Sequence, residues 1–200
     1  GKQVACSIIK EQKNMDSIKM IERKLKYKGH RVKVYEDTML TPDKNIVYYD
    51  YVENRNGSGV LLVDNEEKLL FVKQYRNVIE GLDIEIPAGC AERSDIGDTG
   101  NDKSVLRSGS ADAGDFMNEE NPFYICALRE AEEETGYIPG KLTFVNYIIA
   151  AVGLFSERTA VYIGTDLKKG KLDRDDDEYI DIVRMSLEEA LEAVYSGKIN

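Results

Sequence analysis

Arg129-Glu130-Ala131-Glu132-Glu133-Glu134-Thr135-Gly136 is the stretch that decides how this chain of 200 residues is read. On a helix, Glu130, Glu133 and Glu134 stand at i, i+3 and i+4, so their side chains are expected to converge on one face. Three carboxylates facing one way repel unless a positive charge sits among them. A hard divalent cation with oxygen ligands answers that best, and Mg2+ or Mn2+ suits carboxylates plus water better than zinc does. Arg129, four residues before Glu133, is placed to hold it by a charge-assisted bond that fixes its rotamer. A generic Glu-rich helix is a solvated acidic face. Arginine, three glutamates and a terminal glycine at fixed offsets form a narrower pattern, and its context of strand, Pro-Ala-Gly turn and capped helix favours the cation.

The elements around this stretch follow from punctuation and alternation. Asn121 suits an N-cap, Pro122 the first helical position and Gly136 a left-handed stop, so a helix is expected over 121–135. Upstream, residues 31–35 (RVKVY) and 46–52 read as strands turned by Thr41-Pro42-Asp43-Lys44, and 59–63 with 69–75 read as a hairpin around Asp64-Asn65-Glu66. Residues 84–86 make a short strand stopped by Pro87-Ala88-Gly89, and residues 16–25 read as a short helix. Between Glu92 and Glu120 the composition collapses into Asp, Gly, Ser and Asn, which reads as an exposed, mobile insertion. Downstream, 143–151, 159–165 and 179–184 read as strands, and Ser186 with Glu189 opens a capping box for a last helix through Tyr195. Strands dominate with two helices inserted late, so the expected class is α+β with a mixed sheet.

Composition bounds the function. The net charge is −10, from 37 acidic and 27 basic residues, which repels nucleic-acid backbones and offers no basic stripe. A phosphorylated small molecule remains compatible, because a cation held by clustered carboxylates inverts the local sign. The longest nearly apolar run, residues 142–155, carries Thr143 and Asn146 and is too short and polar to span a bilayer. With no charged-then-apolar leader in view, a cytoplasmic protein without membrane partners is expected. Cys6, Cys90 and Cys126 are odd in number and widely spaced, and read as buried thiols. His30, beside Gly29, reads as a turn residue. The run 173–178 lacks the spacing of a calcium loop and reads as an exposed acidic hairpin.

Arg129 to Gly136 resembles the second half of the Nudix box, and further matches cover about residues 31–197. Lys73-Gln74-Tyr75-Arg76 followed by Glu85-Ile86-Pro87-Ala88-Gly89 is similar to the corresponding run of the ADP-ribose and sugar-nucleotide pyrophosphatase branch. Gly153-Leu154-Phe155-Ser156-Glu157 and Ser196-Gly197-Lys198-Ile199 resemble that branch's later loop and C-terminal end. The resemblance implies a Nudix-type α/β/α sandwich with a mixed sheet and an N-terminal antiparallel extension. It implies residues 1–55 as a dimer-forming extension and 56–200 as the catalytic domain, with a flexible insertion over about 92–120. It implies Gly89 as the opening glycine of the box. The metal ligands are then the Ala88 carbonyl and the carboxylates of Glu130 and Glu134, with Glu133 a further ligand or the base. Substrate contacts fall to Arg76, Glu85, Gly89 and Arg129. Three departures stand out. Gly89 and Arg129 are 40 positions apart where the standard box has 14, and Asn121 stands where its first glutamate belongs, with Glu120 one residue off. Val152-Gly153 also replaces the Pro-Gly usual in the later loop.

The reaction so implied is Mg2+-dependent cleavage of a pyrophosphate bond in a nucleoside diphosphate linked to a sugar. It needs charge neutralisation on phosphoryl oxygens, an in-line water and a base. Glu133 and Glu157 are both candidates for the base, with Glu134 the third catalytic carboxylate. Arg76 offers a phosphate a planar two-pronged donor; Glu85, between Ile84 and Ile86, faces away from its apolar neighbours. Alternatives are a Nudix hydrolase acting on a nucleoside triphosphate or dinucleotide, and a Nudix-fold module that senses a nucleotide without cleaving it. The resemblance further implies a homodimer in which the sheet over about 31–55 helps build the partner's site.

Overall fold

Side-chain alternation along two neighbouring strands sets the layers. In β4 (Gly57–Val63), Val60 and Leu62 enter one apolar cluster while Leu61 and Val63 lean on another; in β5 (Leu69–Arg76), Leu70 enters the first and Leu69 and Phe71 the second. Successive strand residues point to opposite faces, so the sheet carries a core on each side. The computed structural model describes residues 18–92, 113–172 and 179–199. The other elements of this sheet are β6 (Gly81–Glu85), β7 (Ala88–Cys90), β8 (Tyr137–Ile148), β9 (Thr159–Lys169) and β10 (Ile180–Met185). Their order is β10-β5-β4-β9-β8, with β6 paired to β5 and β7 to β4. Only β4 and β9 run parallel among these pairings, which makes the sheet mixed.

Helices cover both faces. The first cluster joins Val60, Leu62, Leu70, Leu142 and Tyr162 to α1 (Ala113–Phe116) and α2 (Pro122–Thr135) through Phe116, Phe123, Ala127 and Ala131. The second joins Leu69 and Phe71 to Ala190 of α3 (Leu187–Tyr195). The architecture is α+β, with helices on either side of a mixed sheet. Helix α3 starts as its sequence dictates: the Glu189 amide donates to Ser186 Oγ at 3.2 Å, and the Ser186 amide donates to Glu189 Oε2 at 2.7 Å.

The chain clusters into two compact units: the described residues up to 55 together with 149–157, and the described residues of 56–148 and from 158 onward. The first unit is a three-stranded antiparallel sheet, β1 (Lys19–Lys28), β2 (Lys33–Leu40) and β3 (Ile46–Glu53), in that order. Buried Asp37 takes both prongs of the Arg23 guanidinium, at 2.5 and 2.6 Å, and that guanidinium lies 3.6 Å from the centre of the Tyr51 ring. Residues 149–157 join this unit through the backbone: the Val52 amide donates to the Leu154 carbonyl and the Ser156 amide to the Val52 carbonyl.

Four expectations change. The helix read over 16–25 is strand β1 from Lys19 on, because ladder pairing with β2 overrides the helical preference of Lys, Glu, Met and Leu. Pro87-Ala88-Gly89 does not simply end a strand, since Ala88 to Cys90 pairs with Gly59 to Gly57. Strand β8 begins at Tyr137 and runs through Pro139 and Gly140, which the sheet tolerates because β8 is its edge strand. The exposed insertion expected through Glu120 does not include Phe116, which is 6% exposed within the first core. Its residues 93–112, like Cys6 and the acidic run 173–178, lie outside the described residues.

Glu189 supplies a pH test of the α3 start. Its bond from the Ser186 amide, helped by Lys68, holds its carboxyl below the usual range. A carboxyl lowered by folding contributes stability that is present above the unfolded value and is lost as pH falls through the folded one. Urea denaturation is expected to show Glu189→Ala less stable than the parent at pH 7, with the difference narrowing as pH falls below about 4.

Candidate active site

Helix α2 buries Phe123, Cys126, Ala127, Glu130, Ala131 and Glu134, one stripe at helical spacing whose last turns place two glutamates where apolar residues would stand. Both ends of the helix are fixed. Asn121 is extended, and its side-chain oxygen accepts the Phe123 amide at 2.9 Å; Pro122 follows; Gly136, at φ 73°, donates its amide to the Glu132 carbonyl at 2.7 Å. Ser58 of β4 donates its hydroxyl to the Phe123 carbonyl at 2.7 Å, tying the first turn to the middle of the sheet.

At the other end, the stripe meets β7. Glu134, 3% exposed, accepts the Ala88 amide at 3.0 Å, and Glu130, 7% exposed, lies under Gly89. A Cβ at position 89 would fall 2.0 Å from Glu130 Oε1, so only glycine leaves room for that carboxylate. Arg129 gathers the surroundings: Nη1 lies 2.8 Å from Glu130 Oε1 and 2.7 Å from Glu133 Oε2, and Nη2 donates to the Cys90 carbonyl at 3.0 Å. Cys126 Sγ reaches the Gly89 carbonyl at 3.5 Å.

The three glutamates differ in burial: Glu130 and Glu134 are tucked against residues 88–89, whereas Glu133, joined to Glu130 through the same Arg129 nitrogen, is more than a third exposed. A hollow of about 260 Å³ beside it is lined by Arg129, Glu132, Glu133 and Lys171. Arg76 and Glu85 form a two-pronged pair at 2.6 and 2.7 Å, so Glu85 is no plain solvent-facing residue. That pair holds the Arg76 guanidinium more firmly protonated, and the fields of Glu134 and Asp83 add to it. Asp83, 9% exposed, was not singled out from the sequence. Its signal was there in Leu82-Asp83-Ile84-Glu85, where alternate carboxylates in a strand share one face.

Glu157 belongs to the first unit, where its carboxylate accepts a hydrogen bond from the Asn54 side-chain amide. Its loop, with Asp37, Tyr49 and Tyr51, lines a hollow of about 230 Å³ in that unit. His30 is exposed in a turn; Cys126 is buried and Cys90 partly so.

The residues at β7 and α2 suit a hard cation. Glu130 and Glu134 are buried oxygen donors, and Gly89, lacking a side chain, leaves room for the first of them against the backbone. Among the described residues, no three Asp, Glu, Cys or His side chains are gathered so as to hold an ion by themselves. Mg2+ and Mn2+ do not require that, since they take one or two carboxylates and complete their shell with water and phosphate oxygens.

Comparison with known proteins bears on this arrangement. The family profile described as NUDIX domain matches residues 53–199. The chain is 28% identical over 183 residues to the ADP-ribose pyrophosphatase of Bacillus subtilis (strain 168), spanning 90% of this chain and 85% of that protein. It is 27% identical over 183 residues, with the same coverage, to the methanol dehydrogenase activator of Bacillus methanolicus. A crystal structure of an ADP compounds hydrolase superposes with a TM-score of 0.65 over 89% of this chain and 83% of that one; at 18% identity, this likeness speaks to the fold alone.

Gly89→Ala tests the fit of Glu130 against the backbone at 89. The atom it meets is the far end of a flexible side chain, so the far-UV circular dichroism is expected to stay that of the parent while the Glu130 carboxylate is displaced. Mn2+ affinity, read by electron paramagnetic resonance, is expected to fall roughly tenfold or more.

Proposed function

Since the chain belongs to the NUDIX family, we propose that it hydrolyses the pyrophosphate bond of a nucleoside diphosphate linked to a sugar, such as ADP-ribose. The products are a nucleoside monophosphate and a sugar phosphate. The observation that carries this reading is the pair of buried carboxylates, Glu130 and Glu134, one turn apart against residues 88–89 with Arg129 beside them. Similarity to an ADP-ribose pyrophosphatase along 90% of the chain supports the substrate class.

Glu130, Glu134 and the Ala88 carbonyl would hold Mg2+ or Mn2+, which when bound neutralises phosphoryl oxygens and favours attack by water. Glu85 fixes the Arg76 guanidinium by two parallel bonds, so its remaining donors meet a phosphate already oriented. Arg129 stations positive charge beside Glu130 and Glu133 and keeps Glu133 in one rotamer. Glu133 or Glu157 accepts the proton of the attacking water. A cytoplasmic homodimer, in which the sheet over about 31–55 completes the partner's site, goes with this reading; the net charge of −10 argues against nucleic acid as partner.

A second reading is a nucleotide-sensing module without turnover. It is favoured by Asn121 in place of the first box glutamate and by the ion pair that Arg129 makes with Glu130. A relative named as an activator of another enzyme fits it too.

Incubation with Mg2+ and a panel of ADP-ribose, GDP-mannose, ADP-glucose, NADH and nucleoside triphosphates distinguishes these. Monophosphate release from ADP-ribose, abolished by Glu134→Gln, is expected; tight ligand binding with no release from any compound means a sensor. The base is identified by whichever of Glu133→Gln and Glu157→Gln lowers kcat roughly a hundredfold or more.

A further inference from the structure

The helix that carries the paired carboxylates is held at its far end by a device the box pattern does not contain. Asn121 uses both ends of its side chain: Oδ1 caps α2 by accepting the Phe123 amide, and Nδ2 donates to the Asp115 carbonyl at 2.9 Å. Its own amide donates to the Asn118 carbonyl at 2.9 Å, and Asn118 Oδ1 accepts the Glu120 amide at 3.0 Å. Residues 115–121 thus fold back on themselves immediately before the helix.

This fold-back is anchored in the core. Phe116 is 6% exposed, stacks on Phe144 with ring centres 4.5 Å apart and planes 6° from parallel, and meets Phe123 of α2 at 5.5 Å. Its carbonyl accepts the hydroxyl of fully buried Tyr162 at 2.9 Å. Burial pushes the Tyr162 pKa well up, so that hydroxyl remains a donor at any physiological pH. Seated among these rings, Phe116 ties the chain just ahead of α2 to β8 and β9.

We infer that Phe116 and Asn121 form a clamp that sets the tilt and rotation of α2, making them positioning residues for Glu130 and Glu134. A helix moves as a rod, so freedom at Asn121 becomes displacement of the carboxylates about two and a half and three and a half turns on. Glu130 sits directly under Gly89, in the space a Cβ there would take, so its place against 88–89 depends on where α2 holds its backbone. The inference rests on the reading of that pair as a metal seat, and it assigns a role to Phe116, ahead of the helix, and to Asn121 at the box position of the first glutamate.

Asn121→Asp separates positioning from stability. An aspartate keeps the cap acceptor, and its charge favours the helix N-terminus, but it cannot donate to the Asp115 carbonyl. Its thermal midpoint is expected to match the parent's within about 3 °C, while the Mn2+ dissociation constant, measured without nucleotide by electron paramagnetic resonance, rises tenfold or more. Phe116→Ala is expected to weaken Mn2+ binding likewise, with Phe116→Leu restoring most of it; with ADP-ribose, kcat falls and KM holds. Mn2+ affinity within twofold of the parent in folded Asn121→Asp and Phe116→Ala overturns the clamp. A parent that binds Mn2+ and turns over no compound of the panel removes the hydrolase reading, and a tenfold loss in Asn121→Asp still upholds the clamp. A parent that binds no Mn2+ overturns both.

Discussion

Two carboxylates occupy positions that an amphipathic helix reserves for its core-facing residues, and much of the surrounding structure answers that fact. Removing a charge from water costs several kcal/mol even after relaxation, and a buried charge stripped of its partner costs about 3–5 kcal/mol. Around Glu130 and Glu134 the offsets are specific: the Arg129 guanidinium 2.8 Å from one and the Ala88 amide 3.0 Å from the other. Gly89 is the complementary concession of the backbone, giving up a side chain so that a carboxylate can sit there. A helix stabilised only by packing would have no reason to keep this arrangement.

The sheet makes the arrangement rigid. Strand β7 is three residues long, yet it pairs with β4, which also pairs with β5 and runs parallel to β9. Helix α2 is tied to that same β4 through Ser58. The two walls of the site, the backbone of 88–89 and the buried stripe of α2, thus refer to one central strand. The Arg76–Glu85 pair comes from β5 and β6, whose register sets Val72 opposite Glu85 and Arg76 opposite Gly81. Arg76, Asp83, Glu85, Arg129, Glu130, Glu133 and Glu134 are all borne by a strand or a helix.

What was legible in the sequence was local. Asn121, Pro122 and Gly136 each act at their own position through backbone geometry, so they marked the ends of α2 within a residue. The Ser186–Glu189 box did the same for α3. Misreadings arose where a distant partner decides. Residues 19–28 become a strand only because β2 lies alongside, and Pro139 survives in β8 because, among the described residues, no further strand pairs beyond it. Helical spacing placed the three glutamates on one side but could not show that Glu133 would stay more than a third exposed while one Arg129 nitrogen joins it to buried Glu130. Phe116 was hidden by its neighbours, since a window of Asp, Gly and Asn averages away one aromatic residue whose partners lie in β8 and β9.

The central claim is that the buried pair exists to hold a divalent cation against the backbone of 88–89. Anomalous scattering from a crystal soaked in Mn2+ tests it most directly. The account predicts a peak within about 2.5 Å of carboxylate oxygens of both Glu130 and Glu134 and of the Ala88 carbonyl oxygen. A map with no peak there, and with Arg129 still bridging Glu130 and Glu133, would contradict it.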